Sequence, residues 1–350
     1  MRRLPIILLF PPPWKVICCH IGRNANSRLS TVVSTWNSNP AGTELETVVL
    51  DWFGRAMEIP KGFLKLHPGS AGGSVVLSSG SESILISMIA ARSRAIQNLK
   101  GSSNLHESFF LPQLVAYCSK DANSSVEKAA KISLVQIRII DVDKFGRFRT
   151  DLLKKAIEED LETGLVPFYV LATVGTTICC AFDDIYSIGE ICQRNNVWFH
   201  VDGSYGGNSF ILPEMRKYSK GLQYADSFNV NSSKALLVTI EFAALYVRDM
   251  KFLEEALSVN RVYFPREHEE TTDFRHYGIS LSRRMRGLKF WFVMRLYGIE
   301  GLQKHLRNLM SLAQKLEELV KEDDRFTVCN DVSFTTICFR LKAPNDVNKD

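Results

Sequence analysis

Residues 198–237 constrain this chain more than any other stretch, reading WFHVDGSYGGNSFILPEMRKYSKGLQYADSFNVNSSKALL. An apolar run through Val201 delivers one carboxylate, Asp202, into a loop of small residues. A second short run, Ser227-Phe228-Asn229-Val230, leads to one amine, Lys234. Runs this short and apolar fit strands covered on both faces, as in a parallel sheet. Such sheets bind ligands outside the carboxyl ends of their strands. An acid and an amine, each just past a strand, therefore mark a candidate site.

The rest of the chain supplies the alternation that a parallel sheet needs. Leu45, Val48, Val49, Trp52 and Phe53 share a helical face, with Pro40 and Thr43 at its start. After the apolar Val75-Val76-Leu77, the segment Ser78-Ser79-Gly80-Ser81-Glu82 opens a helix bearing Ile84, Leu85, Met88, Ile89, Ile96 and Leu99 on one side. Ser79 and Glu82 have capping-box spacing. Strand-like residues 114–118, 132–142 and 167–174 alternate with polar loops and with a helix over 152–161. This order, kept to about residue 240, predicts an α/β fold with a doubly wound, mostly parallel sheet.

Beyond residue 249 the texture changes. The charged segment 251–275, which carries Tyr263 and Pro265, reads as a mobile surface loop. Residues 287–320 read as long amphipathic helices, and 326–328 and 335–341 as strands opening a smaller domain. The expected organisation is an irregular leader over 1–38, a large domain over 39–320 with a mobile loop near 255–275, and an incomplete C-terminal small domain over 321–350.

Composition removes several function classes. The net charge of +5 is dispersed among acids, which argues against nucleic acid. Eight cysteines show no CxxC spacing, so they read as thiols in a reducing, cytoplasmic setting, with no metal site expected. The apolar run after Met1-Arg2-Arg3 is broken by Pro11-Pro12-Pro13 and is too short to span a bilayer, so no membrane partner is expected.

The chemistry comes from what accompanies Lys234. The Gly/Ser-rich helix start at Ser79-Gly80-Ser81 offers backbone N–H groups, hydroxyls and the positive dipole end, which suit a phosphate. Alone it would read as an ordinary capped helix. Gly175-Thr176-Thr177 adds hydroxyls at the end of another strand. Pyridoxal phosphate needs this set: an amine for a Schiff base, an acid for the pyridine nitrogen and donors for the phosphate. The expectation is that Lys234 forms the Schiff base and Asp202 pairs with the ring nitrogen. His200 reads as a core histidine.

The chain also resembles a known family over roughly residues 39–349. The motifs are TELETVVLDWFGRAMEIPKGFL, LVAYCSKDANSSVEKA, VLATVGTTICCAFDDI, WFHVDGSYGGNSFILPEMR, YADSFNVNSSKALLV and SRRMRGLKFWFVMRLYG, all in order. They resemble the group II pyridoxal-phosphate decarboxylases, in the aromatic-L-amino-acid decarboxylase branch. That resemblance implies an aspartate-aminotransferase-like fold (fold type I) and a homodimer with sites at its interface. It implies decarboxylation of an aromatic L-amino acid of the dopa, tyrosine or tryptophan type. It places Gly80, Ser81 and Asn231 at the phosphate, Thr177 near the ring and Thr43 toward the substrate. Tyr263 aligns with the tyrosine of the family's mobile loop, which returns a proton to the carbon that has lost carbon dioxide.

Three departures qualify the resemblance. The family's decarboxylases set a histidine on the cofactor ring where this chain has Asn123, in contact with both cofactor and substrate. The related insect aromatic acetaldehyde synthases usually have asparagine there, and they decarboxylate and then oxidatively deaminate with dioxygen. A neutral amide cannot act as an acid as an imidazolium does. Ser233 and Ala235 replace the histidine and tryptophan that flank the family lysine. Set against the family, the usual N-terminal dimerisation helices read as largely missing or replaced and most of the C-terminal domain as absent from this sequence, which keeps a non-catalytic relative as an alternative. An aminotransferase is a weaker rival, because the decarboxylase motifs match far more densely.

Overall fold

The computed structural model describes residues 4–7, 32–259, 272–329 and 331–342. The first strand, β1 (Leu4–Ile7), precedes helix α1 (Pro40–Ala56), which is capped by the Asn39 side chain accepting from Gly42 N. Then come β2 (Gly73–Leu77), α2 (Gly80–Lys100), β3 (Leu114–Ser119), α3 (Ser125–Ser133), β4 (Gln136–Ile140), α4 (Thr150–Glu162) and β5 (Val166–Thr173). The alternation continues through α5 (Ile185–Arg194), β6 (Trp198–Asp202), β7 (Ser227–Val230), β8 (Ala243–Val247) and α6 (Lys251–Leu257). A long helix α7 (Gly287–Glu322) is broken at Gly298, whose φ of 61° leaves the helical region; β9 (Phe326–Val328) and β10 (Thr336–Leu341) follow.

Seven strands form the central sheet in the order β2-β8-β7-β6-β5-β3-β4. The ladders from β4 through β3, β5 and β6 to β7 are parallel. Strand β8 runs antiparallel to both β7 and β2, so β2 points the same way as the parallel set. The carboxyl ends of β2, β3, β5, β6 and β7 therefore share one edge.

Alternate residues of each strand serve opposite faces, as the pleat requires. Val76, Tyr117, Phe199 and Tyr246 pack with α1, α4, α5 and α7, whereas Val75, Ala116, Trp198 and Leu245 pack with α2, α3 and α6. Each fully buried aromatic of this kind contributes about 1.5–3 kcal/mol of transfer free energy. Fold class α/β with a mostly parallel sheet is what the alternation predicts, and it is what forms. A second, antiparallel sheet has the order β1-β10-β9.

Local boundaries differ in instructive ways. The segment expected as a loop from residue 251 opens instead with α6, because Leu253 is buried among the side chains that cover one face of the sheet. Phe274 and Tyr277 are buried in the same cluster, while residues 260–271, including Tyr263, lie outside the described residues. The stretch expected as an irregular leader contributes β1, paired with β10, and the buried Val33. No helix among the described residues is long and apolar enough to cross a membrane.

Candidate functional site

Five loops at the shared carboxyl edge close around one cavity of about 120 Å³. Its lining includes Gly80 and Ser81 after β2, Asn123 after β3, Thr173, Gly175 and Thr177 at the end of β5, Asp202 and Ser204 at β6, and Asn231 and Lys234 after β7. The acid and amine singled out in the sequence thus share one space with the glycine-serine helix start. So do Asn123, Thr177 and Asn231. Thr43 is not among these residues: it is buried in α1, and its hydroxyl donates to Asn39 O at 3.0 Å.

The helix start is capped and closely packed. Ser79 Oγ accepts from Glu82 N at 3.2 Å, which caps α2. The Glu82 carboxylate reaches back to Ser78 N (2.8 Å) and the Ser78 hydroxyl rather than to Ser79 N, so the capping box is closed one residue early. Gly80 is required by close approach: a Cβ there would lie 2.3 Å from Ser204 Oγ. Gly175 has φ +84° and abuts Gly206 N, where a Cβ would come within 2.7 Å, so neither conformation nor space admits a side chain.

Asp202 ends a buried chain of hydrogen bonds. Trp198 Nε1 donates to Ser227 Oγ at 2.8 Å, and Ser227 Oγ lies 2.8 Å from His200 Nδ1. His200 Nε2 lies 2.8 Å from Asn229 Oδ1. The Asn229 amide donates to Asp202 Oδ1 at 3.1 Å and to Ser204 Oγ at 2.7 Å, and Ser204 N also donates to Asp202 Oδ1 at 3.0 Å. With the Asn229 nitrogen spent on Asp202 and Ser204, its oxygen accepts. His200 therefore carries its proton on Nε2 and receives Ser227 O–H at Nδ1. Every link is satisfied by a neutral imidazole. Burial pushes His200 down to about 4, against the opposing pull of the Asp202 charge. Tyr169 stacks on it at 6.0 Å between ring centroids.

Sequence reasoning placed His200 in the core but missed Ser227, Asn229 and Trp198. A signal existed. His200 and Asp202 are alternate residues of β6, Ser227 and Asn229 are alternate residues of β7, and the register pairs His200 with Ser227 and Asp202 with Asn229. Polar residues at period two in otherwise apolar strands announce a shared polar row on one face.

On the other side of the cavity, Asn123 Nδ2 donates to Thr177 Oγ1 at 3.2 Å while Asn123 Oδ1 accepts from Ser125 N at 3.0 Å. Beside Lys234, Ser233 N and Oγ both donate to Asn231 Oδ1, at 3.2 and 2.5 Å, so the serine turns back on its own loop. Thr173 Oγ1 is buried with no hydrogen-bond partner among the described residues, although Thr173 lines the cavity. An orphaned hydroxyl, a glycine cradle at a helix N-terminus, one carboxylate and one amine fit pyridoxal phosphate in donor chemistry and in charge.

A parallel α/β sheet that collects a lysine, an acid and a phosphate-type helix start along one edge defines a pyridoxal-phosphate protein of fold type I. The chain belongs to the pyridoxal-dependent decarboxylase family, whose conserved domain matches residues 17–342. It is 42% identical over 325 residues to the aromatic-L-amino-acid decarboxylase of Cavia porcellus, covering 92% of this chain and 68% of that protein. It is 44% identical over 313 residues to the histidine decarboxylase of Rattus norvegicus, covering 89% of this chain and 48% of the relative. The crystal structure of Rhodiola rosea 4-hydroxyphenylacetaldehyde synthase superposes with a TM-score of 0.84 at 35% identity, over 93% of this chain and 66% of that one. The chain thus spans from about half to about two thirds of the length of these proteins.

Proposed function

We propose that this chain carries the catalytic centre of a carboxy-lyase that removes carbon dioxide from an aromatic L-amino acid of the dopa, tyrosine or tryptophan type. The observation that carries the reading is the convergence of Lys234, Asp202 and the Gly80-Ser81 helix start on one cavity. Bound there, pyridoxal phosphate supplies an electron sink for the carbon that loses the carboxylate. Lys234 attaches it through its amine, and Asp202, braced by Asn229 and Ser204, keeps the ring nitrogen protonated. The free N–H groups at the start of α2, with Ser81 and Asn231, hold the phosphate. Thr177 and Asn123, which line the same cavity, would flank the ring. Thr43 on the substrate side and Tyr263 as the proton donor complete the reading, as the family resemblance implies. So do a homodimer and a cytoplasmic setting.

A second reading rests on Asn123. Its amide is hydrogen-bonded to Thr177 and Ser125 and has no titrating proton to give. The likeness to an aldehyde synthase favours a product that loses its amine as well as its carboxylate. Incubation under air with dopa, tyrosine, tryptophan and histidine separates the outcomes. Amine and carbon dioxide without peroxide support the decarboxylase, and aldehyde with peroxide supports the synthase. A histidine preference would overturn the aromatic assignment. No turnover with any of the four, in protein that takes up the cofactor, would favour a non-catalytic relative.

A further inference from the structure

A second cavity, of about 500 Å³, lies beside the functional site and is lined by four cysteines: Cys179, Cys180, Cys329 and Cys338. Two of them face each other across a ladder. Strands β9 and β10 pair Val328 with Phe339, and the next rung sets Cys329 opposite Cys338, with Cys329 N donating to Cys338 O at 2.7 Å. Directly opposed residues of an antiparallel pair have Cα atoms about 4.5–5.5 Å apart and side chains on the same face. A disulfide spans Cα separations of about 4.4–6.8 Å. As a hydrogen-bonded pair, the two cysteines sit at the wide end of the ladder range, and closing the bridge draws the two Cβ atoms together by about 1 Å.

Exposure and connection give the pair a direction. Cys329 is partly exposed, whereas Cys338 is buried and its thiol donates to Ile178 O at 3.0 Å. Ile178 follows Thr177, which lines the cofactor cavity, so the Cys338 thiol anchors the loop that holds Thr177. Cys180 is fully buried, and burial pushes its thiol up to about 12, which keeps it protonated and inert.

We propose that Cys329 and Cys338 form a reversible cross-strand disulfide whose closure withdraws the Cys338 thiol from Ile178 and loosens the grip of the Thr177 loop on the cofactor. With hydrogen peroxide as oxidant, the Cys329 thiolate attacks one peroxide oxygen, giving a sulfenic acid and hydroxide. The Cys338 sulfur then displaces the sulfenic oxygen as water. Two thiols lose two electrons and two protons, and one peroxide becomes two waters. The bridged Cys338 sulfur has no hydrogen left to donate to Ile178.

The test uses the full chain loaded with pyridoxal phosphate, treated with hydrogen peroxide, alkylated and mapped by mass spectrometry. The expected product is a peptide pair joined through Cys329 and Cys338, two hydrogens lighter than the thiol form and reopened by dithiothreitol. Cofactor affinity, read by absorbance titration, weakens about two- to ten-fold on oxidation, the scale of one hydrogen bond, and recovers on reduction. Cys329→Ser abolishes both effects and Cys179→Ser abolishes neither. A bridge from Cys338 to Cys179, or peroxide-treated protein in which Cys338 stays a thiol, overturns the assignment. A Cys329–Cys338 bridge with unchanged affinity overturns the link to the Thr177 loop. The peptide map reads the bridge whether or not the chain turns over an amino acid.

Discussion

Gly80 and Ser204 stand so close that the first atom of any side chain on Gly80 would meet the serine hydroxyl at 2.3 Å. That hydroxyl is already held by the Asn229 amide, which also braces Asp202. The end of the site proposed for the phosphate and the end that carries the acid are thus in mechanical contact through one serine.

Gly80→Ala should therefore disturb both ends at once. Overpacking of this kind costs about 1–3 kcal/mol, although alanine is otherwise the better helix former. Cofactor affinity should fall by about five- to 150-fold, in proportion to that cost, with a lower melting temperature for the cofactor-free protein. Absorbance titration and thermal denaturation read the two effects. Unchanged affinity would remove Gly80 from the cradle.

Lys234 and Asp202 separate attachment from electronics. Lys234→Ala should fold normally, lose the covalent absorbance band and lose activity by on the order of a thousand-fold or more, as when a covalent group is removed. Asp202→Asn should keep the covalent band, because the amine remains, but bind more weakly and turn over far less. Visible spectra and initial rates of both variants, side by side, make the comparison.

The His200 imidazole gives stability a pH dependence whose sign can be worked out. Its folded value of about 4 lies below its ordinary 6.5 because burial disfavours the cation. Between those values the unfolded chain binds a proton that the folded chain does not. His200 thus leaves stability intact above about 6.5 and removes up to about 3 kcal/mol as the pH falls toward 4. Asp183 opposes it. Burial lifts its carboxyl from 3.8 to about 7, so its neutral form favours the fold at low pH and that benefit is lost as the pH rises through 7. The two partly cancel in the wild type. The deficit of His200→Gln relative to wild type should accordingly be largest at pH 8 and narrow by up to about 3 kcal/mol toward pH 4, measured by urea denaturation. A constant gap would show that His200 binds its proton equally in the folded and unfolded chains.

Asn123→His restores an imidazole where the amide now contacts Thr177. A positioned acid contributes about 10²–10⁴-fold when fully effective. Amine formation should rise about ten-fold or more at neutral pH, and the rate profile should acquire an ionisation near 6.5, the ordinary histidine value. Product analysis over pH 5.5–8.5 makes the measurement.

Much of this was readable in advance because the signals are local. Apolar runs punctuated by Gly, Ser and Thr marked the strands, and their carboxyl ends carried Asp202, Lys234, Thr177 and Gly80 to one edge. What escaped depends on register or on tertiary company. The row from Trp198 to Asp202 exists only because β6 and β7 align His200 with Ser227. Helix α6 hid inside a charged segment because its two turns dock through the buried Leu253, with Phe252, Ala256 and Leu257 only partly covered beside it. Cys329 and Cys338 became a pair only through the β9–β10 ladder.

Strand β8 lies between β7 and the early strand β2, and it runs against both. A chain made from its amino terminus therefore carries the Gly80 cradle long before the strand that fastens β2 into the sheet exists. Contacts this distant in sequence close late in folding. A nascent chain ending before Ala243 has the parallel strands β3–β7 with the acid and the amine at their edge, but no strand to join β2 and its glycine to them. Completion of the cofactor site thus waits on β8, and cofactor uptake by ribosome-released fragments ending before and after residues 243–247 would report its arrival.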